Sequence, residues 1–361
     1  MWLFIQRLLF LVLGFTACLS QAQIFTFDVP ADQGLCSDAQ QTKIGNFISD
    51  AKTLVADALW AIDQRNTHDP ALLALFTSYF GIRWTADYSR FGDTQSALAW
   101  ETVHETLKAV KAFLDGNGLP AELQFTGQPP FAFCGDATYQ TRGWGDMAVD
   151  YQGDQIEKDD GTYETIWDLY KIDFPDQSFN PFYSPVQKGY AFTQGSRPCA
   201  DTVDLDGNPA QTMAFVAKPL FPKTTGIIEA FGKLDPSIVL CDVAIDKPAE
   251  GDNMVEFLSD IQYPTASSPI GLDDQLPQSS IFFHELTHLT TTDVTDRWYP
   301  LNSCIKNAVT DNGIETSGAE TNAQSYMLFA MAIWYYRHPP AGVTPATFYQ
   351  GMSNDKLHID N

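Results

Sequence analysis

His284-Glu285-Leu286-Thr287-His288 sets two imidazoles four residues apart. On an α-helix that is a little over one turn, so both rings leave from the same face. Two neutral imidazoles held this way make half of a tetrahedral zinc site. Glu285, next to the first ring, can reach a metal-bound water without binding the metal. Zinc lowers the pKa of such a water toward ~7, and a carboxylate can take its proton as it attacks a carbonyl. The competing reading is a pair of surface histidines on an ordinary helix. Ile281, Phe282, Phe283, Leu286 and Leu289 argue against it, because such apolar flanks, with Ser279 or Ser280 near the start, describe a buried helix.

A catalytic zinc needs a third protein ligand and leaves its fourth position to water. The residues themselves leave the choice open: Asp293 lies five beyond His288, Asp296 eight beyond, and Glu315 and Glu320 farther on. Leu289-Thr290-Thr291-Thr292 is β-branched and polar, so the helix should end there and the chain can turn back under the metal. Asp293 is close enough to serve only as a cap or turn residue. Asp296 has more loop in which to come round, and Tyr299, three residues later, offers a phenol to an oxyanion.

His-Glu-x-x-His followed closely by Asp-x-x-Tyr resembles the aspzincin metallopeptidases, the deuterolysin and peptidyl-Lys metalloendopeptidase group. The likeness extends to Leu35-Cys36-Ser37, Tyr79-Phe80-Gly81, Phe133-Cys134, Ile238-Val239-Leu240-Cys241 and Asn322-Ala323-Gln324-Ser325-Tyr326, in the family's order. The resemblance implies a zincin-like fold, Zn2+ held by His284, His288 and Asp296, Glu285 as the base and Tyr299 as the transition-state phenol. It also implies a first disulfide between Cys36 and Cys134. Cys199 with Cys241 then follows as the second pair, and Cys304 stays single. Two departures stand out. The family's Gly-Thr before the ligand is Asp293-Val294 here, and its Gly after the Tyr is Pro300. The positions matching the acidic receptors of the Lys-specific members are Gln324 and Met327. A neutral pocket cannot offset the desolvation of an ammonium ion, so Lys specificity is not expected.

Several elements must position these side chains. Apolar residues recur at helical spacing from Asp38 to Ile62, with Ser37 or Asp38 to cap the start. Further helices are expected at Pro70–Tyr79, stopping near Gly81, and at about Thr94–Leu114, ending at Gly116-Asn117-Gly118. Between about Phe125 and Ser237, aromatic, Gly, Pro and Asp residues alternate without helical period, which predicts short strands and long loops. Ser237–Cys241 reads as a strand, and about Ala319–Tyr336 as a helix stopped by Pro339-Pro340. The expectation is an α+β fold, mostly helical, with a small sheet. It would form one domain over 23–361, with a loop-rich insertion at about 135–236.

Residues 1–22 carry Arg7, an apolar run through Leu13 and the small residues of Ser20-Gln21-Ala22, the pattern of a removable secretory signal. Phe15-Thr16-Ala17 fits lipidation at Cys18 poorly. The balance of 45 Asp and Glu against 21 Lys and Arg argues against nucleic acid and anionic membranes as partners. Five cysteines remain after the signal, widely spaced, which suits an oxidising compartment better than a thiolate zinc site. His104, His338, His68 and His358 read as solvated or structural, and Tyr326 as core.

The leading expectation is a secreted, monomeric zinc endopeptidase acting on proteins or peptides. One alternative keeps the chemistry but takes Glu320 as third ligand, as in thermolysin-like enzymes. Another is a secreted zinc-binding or adhesion protein without catalysis, a reading that leaves Glu285 without a role.

Overall fold

The computed structural model describes residues 24–353 apart from 28, 30–33, 124–127, 201, 204–208, 211, 219–235, 247–253, 266 and 311–317. The expected signal segment 1–22, with Cys18, lies outside the described residues, as do Glu315 and His358. The architecture is mixed α+β. The chain divides into two compact units, Met1–Gly45 with Ala121–Asp246 and Asn46–Pro120 with Lys247–Asn361. The stretch expected as an insertion, about 135–236, falls within the first.

In the first unit, strand β8 (Ser237–Leu240) is central and wholly buried. Its Ile-Val-Leu run suits a strand covered on both faces. It pairs in parallel with β1 (Ala132–Cys134), Phe133 opposite Val239, and antiparallel with β7 (Ala214–Ala217), Phe215 opposite Val239. Two disulfides pin the ends of this sheet. Cys36–Cys134 ties β1 to the residues before the first helix, and Cys199–Cys241 ties the chain after β8 to the preceding loop. Both are the pairings expected, and among the described residues Cys304 is free and buried.

The aromatic-rich stretch forms a second sheet, β2 (Gln140–Thr141), β3 (Asn180–Ser184) and β4 (Gly189–Thr193), all antiparallel. The short β5 (Thr202–Val203) and β6 (Pro209–Ala210) pair with each other. Ala148, Ile166, Leu169, Tyr170, Tyr183 and Tyr190 make a local core, with Trp144 and Phe192 packed against it. The short helix α4 (Ile166–Tyr170) opens on a capping box between Thr165 and Asp168. Asp168 also accepts from Lys158 Nζ at 2.9 Å. That ammonium, with the Thr165 contacts, lowers the Asp168 carboxyl from its ordinary 3.8 to about 2. A carboxyl depressed on folding stabilises above its unfolded pKa, and that contribution is lost as pH falls through the folded one. Asp168→Asn should therefore lower the urea midpoint at pH 7 and flatten its decline between about pH 4 and pH 2, as measured by unfolding curves across that range. An unaltered decline would remove this capping box from the acid response.

The second unit is helical. Helix α1 (Asp38–Asp63) runs from one unit into the other at Gly45-Asn46. It starts on a reciprocal pair, Ser37 Oγ accepting from Gln40 N and Gln40 Oε1 from Ser37 N. Its residues Phe47, Ile48, Ala51, Leu54, Val55, Ala58 and Ile62 are all buried. Helix α2 (Pro70–Phe80) has Asp69 as its cap and Pro70 in its first turn. It ends on Gly81 at φ 67°, a left-handed conformation that glycine adopts without a Cβ penalty. Asp93 caps helix α3 (Thr94–Ala112), which continues into a π-turn at Phe113–Asn117.

Helix α6 (Gln278–Thr290) carries the two motif histidines and is buried along almost all of its length. Its early serines do not cap it. Ser279 Oγ donates to Asp50 Oδ2 at 2.7 Å, and Ser280 Oγ donates to the Pro277 carbonyl. The helix stops at Thr290, where the threonine run begins to favour extended backbone.

The short α5 (Asp242–Ile245) follows β8 in the first unit; beyond α6 come α7 (Leu301–Thr310) and α8 (Ala323–Arg337). Helix α7 has no counterpart in the sequence expectations. The helix expected over about Ala319–Tyr336 is broken: Ala319–Thr321 is a 3-10 turn, Asn322 is extended, and only then does α8 begin. Helix α8 is apolar on all sides, as a helix surrounded by protein must be. The Phe329 ring centroid lies 4.6 Å from that of Phe76, tilted, and 5.1 Å from that of Phe80, edge-on, and Tyr326 lies 5.1 Å from Phe80. Aromatic contacts of this kind add ~0.5–1.5 kcal/mol each beyond simple burial, so α8 is held firmly against α2. Tyr326 is core, as expected, with no exposed surface.

Candidate metal centre

The α6 spacing brings His284 and His288 together with Nε2 atoms 3.3 Å apart. After Thr290 the chain leaves the helix, buries Val294, and pairs Thr295 in parallel with Asn322. That pairing carries Asp296 back beneath the two rings. Its Oδ1 lies 3.0 Å from His284 Nε2 and 2.9 Å from His288 Nε2. Among the described residues, no other trio of His, Cys, Asp or Glu donors lies close enough to hold a metal ion.

The far side of each ring decides which nitrogen faces this focus. His288 Nδ1 is 3.2 Å from the Val294 carbonyl oxygen, which can only accept, so Nδ1 carries the hydrogen. His284 Nδ1 faces Gln324 Oε1 at 3.1 Å and donates in the same way. Each neutral imidazole then points an Nε2 lone pair inward, the arrangement outer partners give to metal-binding histidines. Two nitrogen lone pairs and a carboxylate oxygen converge with no proton among them to share, and a cation between them relieves that repulsion. Bonds of ~2.0–2.2 Å at tetrahedral angles place donor atoms roughly 3.3 Å apart. The observed separations of 2.9 to 3.3 Å fit within a few tenths of an ångström.

The local electrostatics agree. Burial alone would raise the Asp296 carboxyl, but positive charge at this focus, which protons on the two Nε2 atoms supply where a cation does not, outweighs burial and holds the group below the usual carboxylate range. Glu285 is buried, with Oε1 4.0 Å from His284 Nε2, beside the donor trio and not part of it. Its burial, with the negative charge of Asp296 adding to it, pushes its carboxyl up to about 8. A buried carboxyl with a shifted pKa beside converging ligand atoms is the kind of environment in which proton-transferring acids and bases are set. Tyr299 sits on the exposed rim, its ring 6.0 Å from that of His284 and nearly parallel to it. Partial burial and the negative charge of Asp296 raise its phenol, which stays an O–H donor.

The other candidates go elsewhere. Asp293 is exposed and accepts from its neighbour Thr292. Glu320 is buried in the 3-10 turn, its Oε2 without a hydrogen-bond partner among the described residues, and is not among the converging donors. His338 ends α8 and bonds to Asp57, His68 ends a 3-10 turn, and half-buried His104 lies on α3.

Two residues of the site have roles that the sequence does not announce. Gln324 orients His284, and Asn322 binds the loop that carries Asp296. By local spacing an Asn-x-Gln ahead of an apolar helix reads as a helix start, because His284, Arg297 and Trp298, which the two amides hold, lie more than twenty residues away. Comparisons with protein-family models, with curated proteins and with solved structures give no match for this chain.

Proposed function

We propose that the chain is a secreted zinc endopeptidase of aspzincin type, with a zincin-like arrangement in its second unit. The observation that carries the reading is the convergence of two Nε2 lone pairs and the Asp296 carboxylate on one point, with the buried Glu285 carboxyl alongside. His284, His288 and Asp296 would hold the ion. When bound there, zinc supplies a Lewis acid that acidifies water and polarises a carbonyl.

Glu285 takes the proton of the attacking water and later delivers it to the leaving amine nitrogen. Tyr299 donates its O–H to the carbonyl oxygen as negative charge builds there. Gln324 and the Val294 carbonyl keep the two rings in the tautomer that ligation needs. A protein that only stored or displayed zinc would have no use for a base at the position of Glu285.

Secretion draws support from the two disulfides, which persist in oxidising compartments. No helix among the described residues is long and apolar enough to cross a membrane. The chain's partners would be protein and peptide substrates, met by a monomer, and its formal charge of −24 disfavours nucleic acid.

No lysine receptor is expected. Met327 is buried at 3 % exposure, and the Gln324 amide is turned onto His284. Casein digestion by the secreted chain should stop on chelation and return with added zinc. The fragment ends should spread over several residue types. Digestion that survives chelation would sink the zinc reading, and cuts confined to one side of lysine would overturn the specificity expectation.

A further inference from the structure

Asn322 occupies the N-cap position of α8, where an asparagine side chain ordinarily accepts from an N–H of the first helical turn. Here the side chain makes no such bond. The turn is closed instead by the backbone, Ser325 N donating to the Asn322 carbonyl oxygen at 3.0 Å. The carboxamide is directed into the loop beneath the histidines. Its Oδ1 accepts from Arg297 N at 3.0 Å and from Trp298 N at 3.1 Å. Its Nδ2 lies 3.2 Å from the Trp298 carbonyl oxygen, 3.0 Å from Ser325 Oγ and 3.6 Å from Cys304 Sγ. The residue has no exposed surface.

On the other side of Asp296 the same segment holds Thr295. Thr295 N donates to Thr321 O at 2.8 Å, and Ala323 N donates to Thr295 O at 3.0 Å. Asp296 thus sits between neighbours anchored on both flanks, although its own side chain is 34 % exposed. Without those anchors a surface loop of this kind would have to be ordered when the metal arrives, at a cost in conformational entropy.

We infer that Asn322 is a positioning residue for the metal: a helix cap diverted from its own helix to fix the Asp296 loop, acting on ion affinity through Asp296. The inference rests on the zinc reading above. The diverted bond makes a discriminating variant available. Serine is a good N-cap, so Asn322→Ser can restore the cap of α8 while removing the grip on Arg297 and Trp298.

In the full secreted chain, zinc affinity is measured by competition with a chromophoric chelator, beside the Tm of the zinc-free protein. Asn322→Ser should weaken zinc about 10- to 100-fold, the range for partners that orient ligands. The zinc-free Tm should move by no more than a few degrees. In an Asp296→Ala background the same substitution should cost nothing further. Unchanged affinity in Asn322→Ser, or an equal loss in both backgrounds, would overturn the inference while leaving the zinc reading intact. A wild-type chain that takes up no zinc removes that reading and the inference together. If Asn322→Ser does not fold, Ser325→Ala, which withdraws one partner of the Asn322 amide, is put through the same cycle. It should show a severalfold loss that vanishes with Asp296→Ala, and a loss that persists there overturns the inference.

Discussion

Glu285→Gln is expected to lower casein hydrolysis by about 10³-fold or more while leaving zinc binding within a few-fold of wild type. The two halves of this result have separate causes. Glutamine has nearly the shape of glutamate but cannot take a proton from water, so the step that makes the nucleophile loses its base. The ion is held by other atoms. His284 Nε2, His288 Nε2 and Asp296 Oδ1 form the converging trio, and Glu285 Oε1 stands 4.0 Å from His284 Nε2. Zinc content measured on the purified variant, beside its rate of casein digestion, checks both halves. Retained digestion would take Glu285 out of the mechanism. Lost zinc would instead make it a ligand and recast the site.

Asp296→Ala should weaken zinc by at least about 100-fold, the upper end of what loss of an outer partner costs, because here a ligand itself is removed. Glu320→Gln, measured beside it, should leave the affinity unchanged. Asp296 Oδ1 lies within 3.0 Å of both Nε2 atoms, and no other oxygen of the described residues completes the trio. Removing it leaves two imidazoles, half of a tetrahedral site. Glu320 lies buried in the turn ahead of Asn322, apart from the donors. Equilibrium competition for zinc on the two variants decides between them. A large loss with Glu320→Gln and a small one with Asp296→Ala would transfer the third position to Glu320 and favour the thermolysin-like alternative.

These effects are confined to the second unit. The capping box of Asp168 and the two disulfides belong to the first, where they stabilise a β-rich segment well removed in sequence from the histidine motif. An acid-induced loss at Asp168 therefore reads on stability, whereas the variants at Glu285, Asp296 and Asn322 read on the ion and its chemistry.

The parts legible in the sequence are those governed by local spacing. A separation of four puts His284 and His288 on one helix face whatever surrounds them. Pro70 and Gly81 mark the ends of α2 because a fixed φ at the first turn and a positive φ at the last are decided within a few residues. The Ile-Val-Leu run of β8 and the apolar stripe of α1 follow in the same way.

Local spacing could not choose among Asp293, Asp296, Glu315 and Glu320; only the family resemblance singled out Asp296. The fold brings Asp296 beneath the rings through the Thr295–Asn322 pairing, a contact between residues 27 apart in the chain. Asn322 itself reads as a helix cap and becomes a loop clamp because Arg297 and Trp298 present two N–H groups to a buried amide that must satisfy its hydrogen bonds. The same holds for Gln324, whose place in the sequence suggests a substrate pocket and whose amide instead orients His284. Periodicity and capping act along the backbone over a turn or two. The return of a loop, and the burial that selects which donors face one another, depend on packing between distant segments, and that is fixed only once α8 is seated against α2 and α6.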